Sequence, residues 1–142
     1  MIRRKAWLLP GIGGLRPERR LALGVGQARH IGIDELGAIY RSATAALNVR
    51  NEHNVLNGLN QRHFDPYLAA TPVVSDDLAD LNRCFDPGTE VLVYHDPGEL
   101  NDLYARLRRD PGFATAIGAQ GRRRVLAEHT YAHRLAALLR LT

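Results

Sequence analysis

The sequence predicts a three-layer, Rossmann-like α/β fold: a small, mainly parallel sheet with helices on both faces, closed by C-terminal helices. Three observations predict it. Residues 45–49, 72–75 and 90–94 are short runs rich in Ala, Leu and Val, each ending at or near a polar residue. Their apolar residues are consecutive instead of alternating, as expected of strands covered on both faces. Between and after these runs, apolar residues recur at helical spacing behind helix-start signals such as Asp96-Pro97-Gly98-Glu99 and Asp110-Pro111.

In chain order, residues 1–29 read as a basic lead-in without clean periodicity, set apart from a body spanning 30–142. Gly11-Ile12-Gly13-Gly14 has neither the glycine spacing nor the strand–turn–helix frame of a dinucleotide loop. This segment is expected to pack poorly or to leave an apolar surface uncovered. His30-Ile31-Gly32-Ile33 suits a short strand. Asp34 then caps a helix carrying Leu36, Ile39, Tyr40 and Ala43 on one face, with Tyr40 read as core. The run 45–49 reads as a buried strand. Ligands of open α/β sheets bind beyond the carboxyl ends of strands, which places Asn48 at a site edge. The following loop, Arg50-Asn51-Glu52-His53-Asn54, is dense in donors and acceptors. His53 is its candidate phosphate or sugar contact on position alone, and a solvated loop reads equally well.

Residues 57–71 carry the densest chemistry: a polar loop, then a helix whose start holds the polar side chains. A helix start suits a phosphate, because free backbone N–H groups and the positive dipole end face the ligand. Gly58 would permit close backbone approach, Arg62 could fork onto phosphate, and Asp65 could accept from sugar hydroxyls. Pro66 fits a first turn, so the regular helix begins near Asp65 or is kinked there. Ser75 ends the next strand. Asn60, Arg62 and Asp65 are therefore expected around one concave site with Asn48 and Ser75 at its rim. A mutual Arg62–Asp65 salt bridge, needing no ligand, is the competing reading.

Further on, a short helix is expected over 78–84, followed by an Asp86-Pro87-Gly88 turn. Later helices place Leu100, Leu103, Tyr104 and Leu107 inward, then Phe113, Ile117, Val125 and Leu126, then Leu135, Leu138 and Leu139. Leu47, Val73, Val74, Leu92 and Val93 are the expected sheet core.

The remaining side chains suggest little chemistry of their own. His129 and His133 have helical metal spacing but no third ligand placed nearby, and no metal is expected. Cys84 reads as packing and Arg122-Arg123-Arg124 as a solvated helix face.

Composition bounds the function classes. The chain has 142 residues, 45% hydrophobic and 24% charged, which is ordinary globular material for one domain. One cysteine excludes an internal disulfide framework and fits a reducing compartment. No apolar run approaches the roughly 20 residues of a membrane span. The start imitates a signal peptide, but its apolar run breaks at Pro10-Gly11, so a cytoplasmic location is expected. The pI of 9.7 invites a nucleic-acid reading. However, residues 1–30 hold seven Arg or Lys against one acid, a balance of +6 within a total of +4, which leaves the body at −2. Nucleic-acid binding is thus confined to the lead-in as a lesser alternative.

Asn57 through Asp65 resembles the E-G-x-G-x-x-x-x-E stretch of retaining, nucleotide-sugar-dependent glycosyltransferases with two Rossmann-like domains (the GT-B type). Asn60, Arg62, Phe64 and Asp65 match the N-x-R-x-F-E pattern of the CgeB-like spore-protein branch. Gly32, Leu36, Tyr40 and Ala43 match a G-x-x-x-x-E-L-x-x-x-Y-x-x-A segment, and His129-Thr130-Tyr131 with Arg134 match the closing H-T-Y-x-x-R, a structural clasp. The resemblance implies the C-terminal, nucleotide-sugar-binding half of such an enzyme. Asp65 would take the ribose role and Asn57 the sugar-facing position. Arg62 would join Asn57 as a catalytic candidate by steadying the departing diphosphate. Both acids of the motif differ here, as Asn57 and Asp65. The implied partners are a nucleotide-diphosphate sugar donor and an acceptor glycan, protein or lipid, with no cofactor. The acceptor-binding half would lie in a separate domain or a second copy. A non-catalytic sugar-nucleotide module is the alternative.

Overall fold

The computed structural model describes residues 31–49 and 58–140. The chain divides into two compact units, Met1–Gly32 and Ile33–Thr142, and all elements below belong to the second. The expectations for residues 1–29, and those for His30, His53 and Asn57, fall outside the described residues.

In chain order the elements are α1 (Ile33–Ser42), β1 (Ala46–Asn48), a 3-10 turn (Gln61–His63), α2 (Asp65–Leu68), β2 (Val73–Asp76), α3 (Leu81–Cys84), β3 (Leu92–Tyr94), α4 (Pro97–Arg109), α5 (Pro111–Glu128) and α6 (Tyr131–Leu139). The strands form one parallel sheet in the order β1-β2-β3. Ala46 lies opposite Val73 and Asn48 opposite Ser75, and Ser75 in turn lies opposite Val93. The short polar residues ending β1 and β2 are therefore direct neighbours at the carboxyl edge of the sheet.

Each face of the sheet carries its own core. Val73 and Val91 pack with Tyr67, Leu78, Leu81, Phe85 and Val125 on one side, whereas Val74 and Leu92 pack with Leu107, Ala114 and Ile117 on the other. Central strand β2 is covered on both faces, so Val73, Val74 and Ser75 are all buried in succession. This is the consecutive burial expected of a parallel sheet between helices. Burying Val73, Val74 and Leu92 contributes about 1.5–3 kcal/mol per side chain.

Helix α5 contributes to both cores, with Ala114 and Ile117 in one and Val125 in the other. It crosses under the amino end of β2, where a Cβ on Gly118 would collide with the Ala70 carbonyl and one on Gly121 with the Tyr67 ring. Glycine inside a helix costs about 1 kcal/mol relative to alanine. Here it permits an approach that any larger residue blocks. Tyr67 is held from the other end too, its hydroxyl donating to the Glu90 carbonyl. Single-turn α2 closes with Ala70 at φ 57, while Thr71 N–H bonds Pro66 O and Ala70 N–H bonds Tyr67 O. This is a Schellman closure with alanine in the left-handed position usually given to glycine. Thr71 then turns its hydroxyl to the Tyr40 carbonyl at 2.6 Å, tying α1 to the start of β2.

Several expectations are corrected. Ile31 and Gly32 form no strand, and Ile33 already begins α1, with Asp34 in its first turn instead of at its cap. Leu47 is 55% exposed: among the described residues β1 is an outer strand of the sheet, and Leu47 borders an open apolar cleft of about 410 Å³ shared with Val74, Leu100 and Tyr104. Tyr104, Leu126, Leu135, Leu138 and Leu139 are exposed rather than inward. The residue that packs here is His129, ahead of α6, its ring against Phe64 and Phe85 at 5.6 and 5.7 Å between centroids. Val93 is half-buried. Arg124 is no solvated side chain but a hub joining Glu90 (3.0 Å), Glu128 (2.8 Å) and Asp86 (3.5 Å).

Candidate functional site

The stretch 58–65 folds over the carboxyl edge of β1 and β2. Asn60 caps the 3-10 turn, its side chain accepting from Arg62 N–H at 2.9 Å. In return, Asn60 N–H donates to Nδ1 of His63 at 3.2 Å, a reciprocal cap that swings the imidazole inward. His63 is only 3% exposed, and its Nε2 lies 3.2 Å from Ser75 Oγ. With Nδ1 accepting, Nε2 carries the proton and donates to Ser75, whose hydroxyl donates to the Asp76 carbonyl at 3.0 Å. The Asn48 amide nitrogen sits over the ring, 2.7 Å from Nδ1 and 2.9 Å from Nε2, and 3.3 Å from Asn60 Oδ1. Burial pushes the His63 pKa down, against smaller opposing effects of the Asn60 backbone and the Asp76 charge. The ring is therefore neutral at pH 7.

Asn48, Asn60 and Ser75 are thus brought together as the sequence suggests, but around a histidine it did not single out. Asn48 and Ser75 are buried beneath the surface instead of forming a rim. Asn48 is engaged by Asn60 and His63, and Ser75 by His63 and Asp76, so they hold the edge of the sheet to the 58–65 stretch.

The Arg62 and Asp65 side chains take no part in the hydrogen bonds of this cluster. Arg62 is exposed and Asp65 half-buried. The ion pairs among the described residues centre on Asp80, His95 and Arg124, so the Arg62–Asp65 salt bridge does not form. Burial raises the Asp65 carboxyl above the usual range. The Tyr40 hydroxyl is raised as well, by burial first and the Asp65 charge second, while Arg62 lowers it. A half-buried carboxylate that meets no cation keeps its lone pairs for incoming donors. The single-turn helix behind it is too short for a substantial macrodipole, which leaves Arg62 as the main positive charge of this stretch. Gly58 is half-buried at its start.

Asn60 and Asp65 also line a cleft of about 340 Å³ with Gln61, Phe64, Tyr131 and Arg134, which neither Arg62, Asn48 nor Ser75 reaches. The expected single concave site is therefore two neighbouring surfaces sharing Asp65. Gln61 Nε2 donates to the Tyr131 hydroxyl at 2.6 Å across this cleft.

The helical histidine pair is divided between two structural contacts. His129 Nε2 meets the Cys84 carbonyl at 2.9 Å, and His133 Nδ1 takes the Thr130 N–H in a second reciprocal cap. Among the described residues, no three His, Cys, Asp or Glu side chains gather as a metal site would. None of the described helices is long and apolar enough to cross a membrane.

No curated protein and no solved structure matches the chain. A family model described as "Glycosyl transferase-like" matches residues 6–140, nearly the whole sequence. With its parallel sheet and helices on both faces, the chain belongs to the glycosyl transferase-like family.

Proposed function

We propose that this domain binds the nucleotide-diphosphate part of an activated sugar and serves as the donor half of a two-domain, retaining glycosyltransferase of the CgeB-like type. The observation that carries the reading is Asp65: a half-buried carboxylate with no ion-pair partner among the described residues, one turn from an exposed Arg62, beside the carboxyl edge of a parallel sheet. Asp65 would accept from the ribose hydroxyls. Arg62 would stabilise charge building on the diphosphate as the bond from the anomeric carbon to its oxygen breaks. The acceptor hydroxyl oxygen bonds to that carbon and its proton leaves with the diphosphate. Asn57 is the sugar-facing candidate, with His53, Gly58 and the backbone near Asn60 as donor contacts. The reading requires no metal, places transfer of a hexose-type sugar in the cytoplasm, and assigns the acceptor site to a separate domain or a second copy.

Titration calorimetry with nucleoside diphosphates tests it. Arg62→Ala and Asp65→Ala should each weaken binding about tenfold or more. Unchanged affinity in both, with a binding wild type, overturns the assignment. A second reading, a sugar-nucleotide module without turnover, is favoured by Asn57, which has no carboxylate where the resembling motif has Glu. Loss of binding in both variants without transfer by the wild type to any acceptor selects it.

A further inference from the structure

We infer that the C-terminal segment Thr130–Arg134 is more than a clasp: with Phe64 it walls a ligand subsite in which a ring bearing vicinal hydroxyls stacks against Tyr131 and hydrogen-bonds Asp65. The inference rests on the donor-site reading for the role of Asp65 but concerns the opposite wall.

The cleft between the 58–65 stretch and α6 measures about 340 Å³, room for a nucleoside or a hexose. Its lining is mainly apolar, with Leu59, Leu68 and Val125 beside the rings of Phe64 and Tyr131, and carries a few polar groups, Asp65 and Arg134 among them. Phe64 is half-buried, with the Arg134 guanidinium 5.6 Å above its ring. Tyr131 is 72% exposed yet fixed in direction, because its hydroxyl accepts from Gln61 at 2.6 Å. An exposed aromatic ring held by a hydrogen bond at its tip presents a face at small entropic cost. Asp65 supplies an acceptor pair that suits two adjacent hydroxyls, and Asn60 stands beside it. The α6 start that carries Tyr131 and Arg134 is itself pinned by the Thr130–His133 reciprocal cap. A planar aromatic face next to a carboxylate and a guanidinium is chemistry that suits a hydroxylated ring.

A ribose and a hexose share the vicinal diol, and the experiment separates them. Binding of UDP, GDP, ADP, their 2′-deoxy forms and free glucose is measured by calorimetry on the full chain and on Tyr131→Ala, Tyr131→Phe, Arg134→Ala and Asp65→Asn. The expected result is that a ribonucleoside diphosphate binds, its 2′-deoxy form binds about tenfold more weakly, and Tyr131→Ala and Arg134→Ala each lose about tenfold. Tyr131→Phe, which keeps the ring, should retain most of the affinity. Glucose binding with the same sensitivity to Tyr131→Ala supports the subsite with the sugar as occupant. Loss in Asp65→Asn with Tyr131→Ala and Arg134→Ala unchanged overturns the inference and leaves the donor-site reading standing. Failure of the wild type to bind any of these probes overturns both. Circular dichroism of each variant confirms folding, which the exposure of Tyr131 favours.

Discussion

Two sets of side chains from one stretch, a few residues apart, meet opposite fates. Asn60 and His63 close a hydrogen-bonded cluster with Asn48 and Ser75, which leaves the His63 imidazole almost without solvent contact. Arg62 is exposed and Asp65 half-buried, and neither enters an ion pair among the described residues. The 3-10 turn produces the division, since neighbouring residues point in different directions around so tight a coil. Polar density in a sequence is thus no measure of ligand binding. Half of these polar residues fasten the loop so that the other half is presented from a firm base.

That contrast can be broken in a definite order of size. His63→Ala should be the most damaging change, because it opens a cavity and takes one buried polar partner from each of Ser75 and Asn48. A loss of about 2–4 kcal/mol is expected in urea unfolding. A loss under about 0.5 kcal/mol would mean that the cluster is not what holds the loop.

Arg62→Ala should do the reverse. Stability should stay within about 0.5 kcal/mol, while nucleoside-diphosphate affinity falls by about 1.5–3 kcal/mol. A drop in melting temperature without a change in affinity would exchange the roles of the two sets.

pH sharpens the comparison further. The folded pKa of His63 is depressed, so its contribution to stability is fully present above the unfolded value near 6.5 and is lost as pH falls through the folded value. The slope cannot exceed about 1.4 kcal/mol per pH unit for one proton. Urea midpoints measured from pH 7.5 to 5 should fall, and His63→Gln should flatten the curve. His95 has the opposite sign: Glu99, 2.8 Å away, raises its pKa, so what it contributes is present below 6.5 and lost as pH rises through the raised value. Exposure keeps that contribution small.

Asp65→Asn is the smallest effect on the fold. Burial raises the carboxyl pKa, so the charged form at pH 7 slightly disfavours folding. Removing the charge should leave the melting temperature unchanged or slightly higher, even as ligand affinity is lost. A clear destabilisation would show that Asp65 is a structural acid.

The sequence made strand and helix positions legible wherever local chemistry decides them. Asp96 and Asp110 cap α4 and α5 as their Asp-Pro signals indicate, and Val73 to Ser75 are buried in succession. Burial was illegible where it depends on what lies across from a residue. Leu47 has the same apolar character as Val74 but sits on an outer strand of the described sheet, and the α6 leucines keep helical spacing yet stay exposed. Gly118 and Gly121 went unread because a helical glycine looks like a weakness until Ala70 and Tyr67 are seen against it. His63 was hidden by its reciprocal cap. The pattern Asn60-x-x-His63, repeated as Thr130-x-x-His133, could have revealed it.

Because α5 contributes side chains to the cores on both faces of the sheet, neither core can come apart while the other stays whole. Displacing the helix exposes Ile117 and Val125 together and removes the glycine seat of Tyr67. Unfolding of residues 33–142 should therefore be a single event, with fluorescence and far-ultraviolet dichroism following one curve. The crossing helix turns two hydrophobic layers into one thermodynamic unit, and its amides should be among the last to exchange with solvent deuterium.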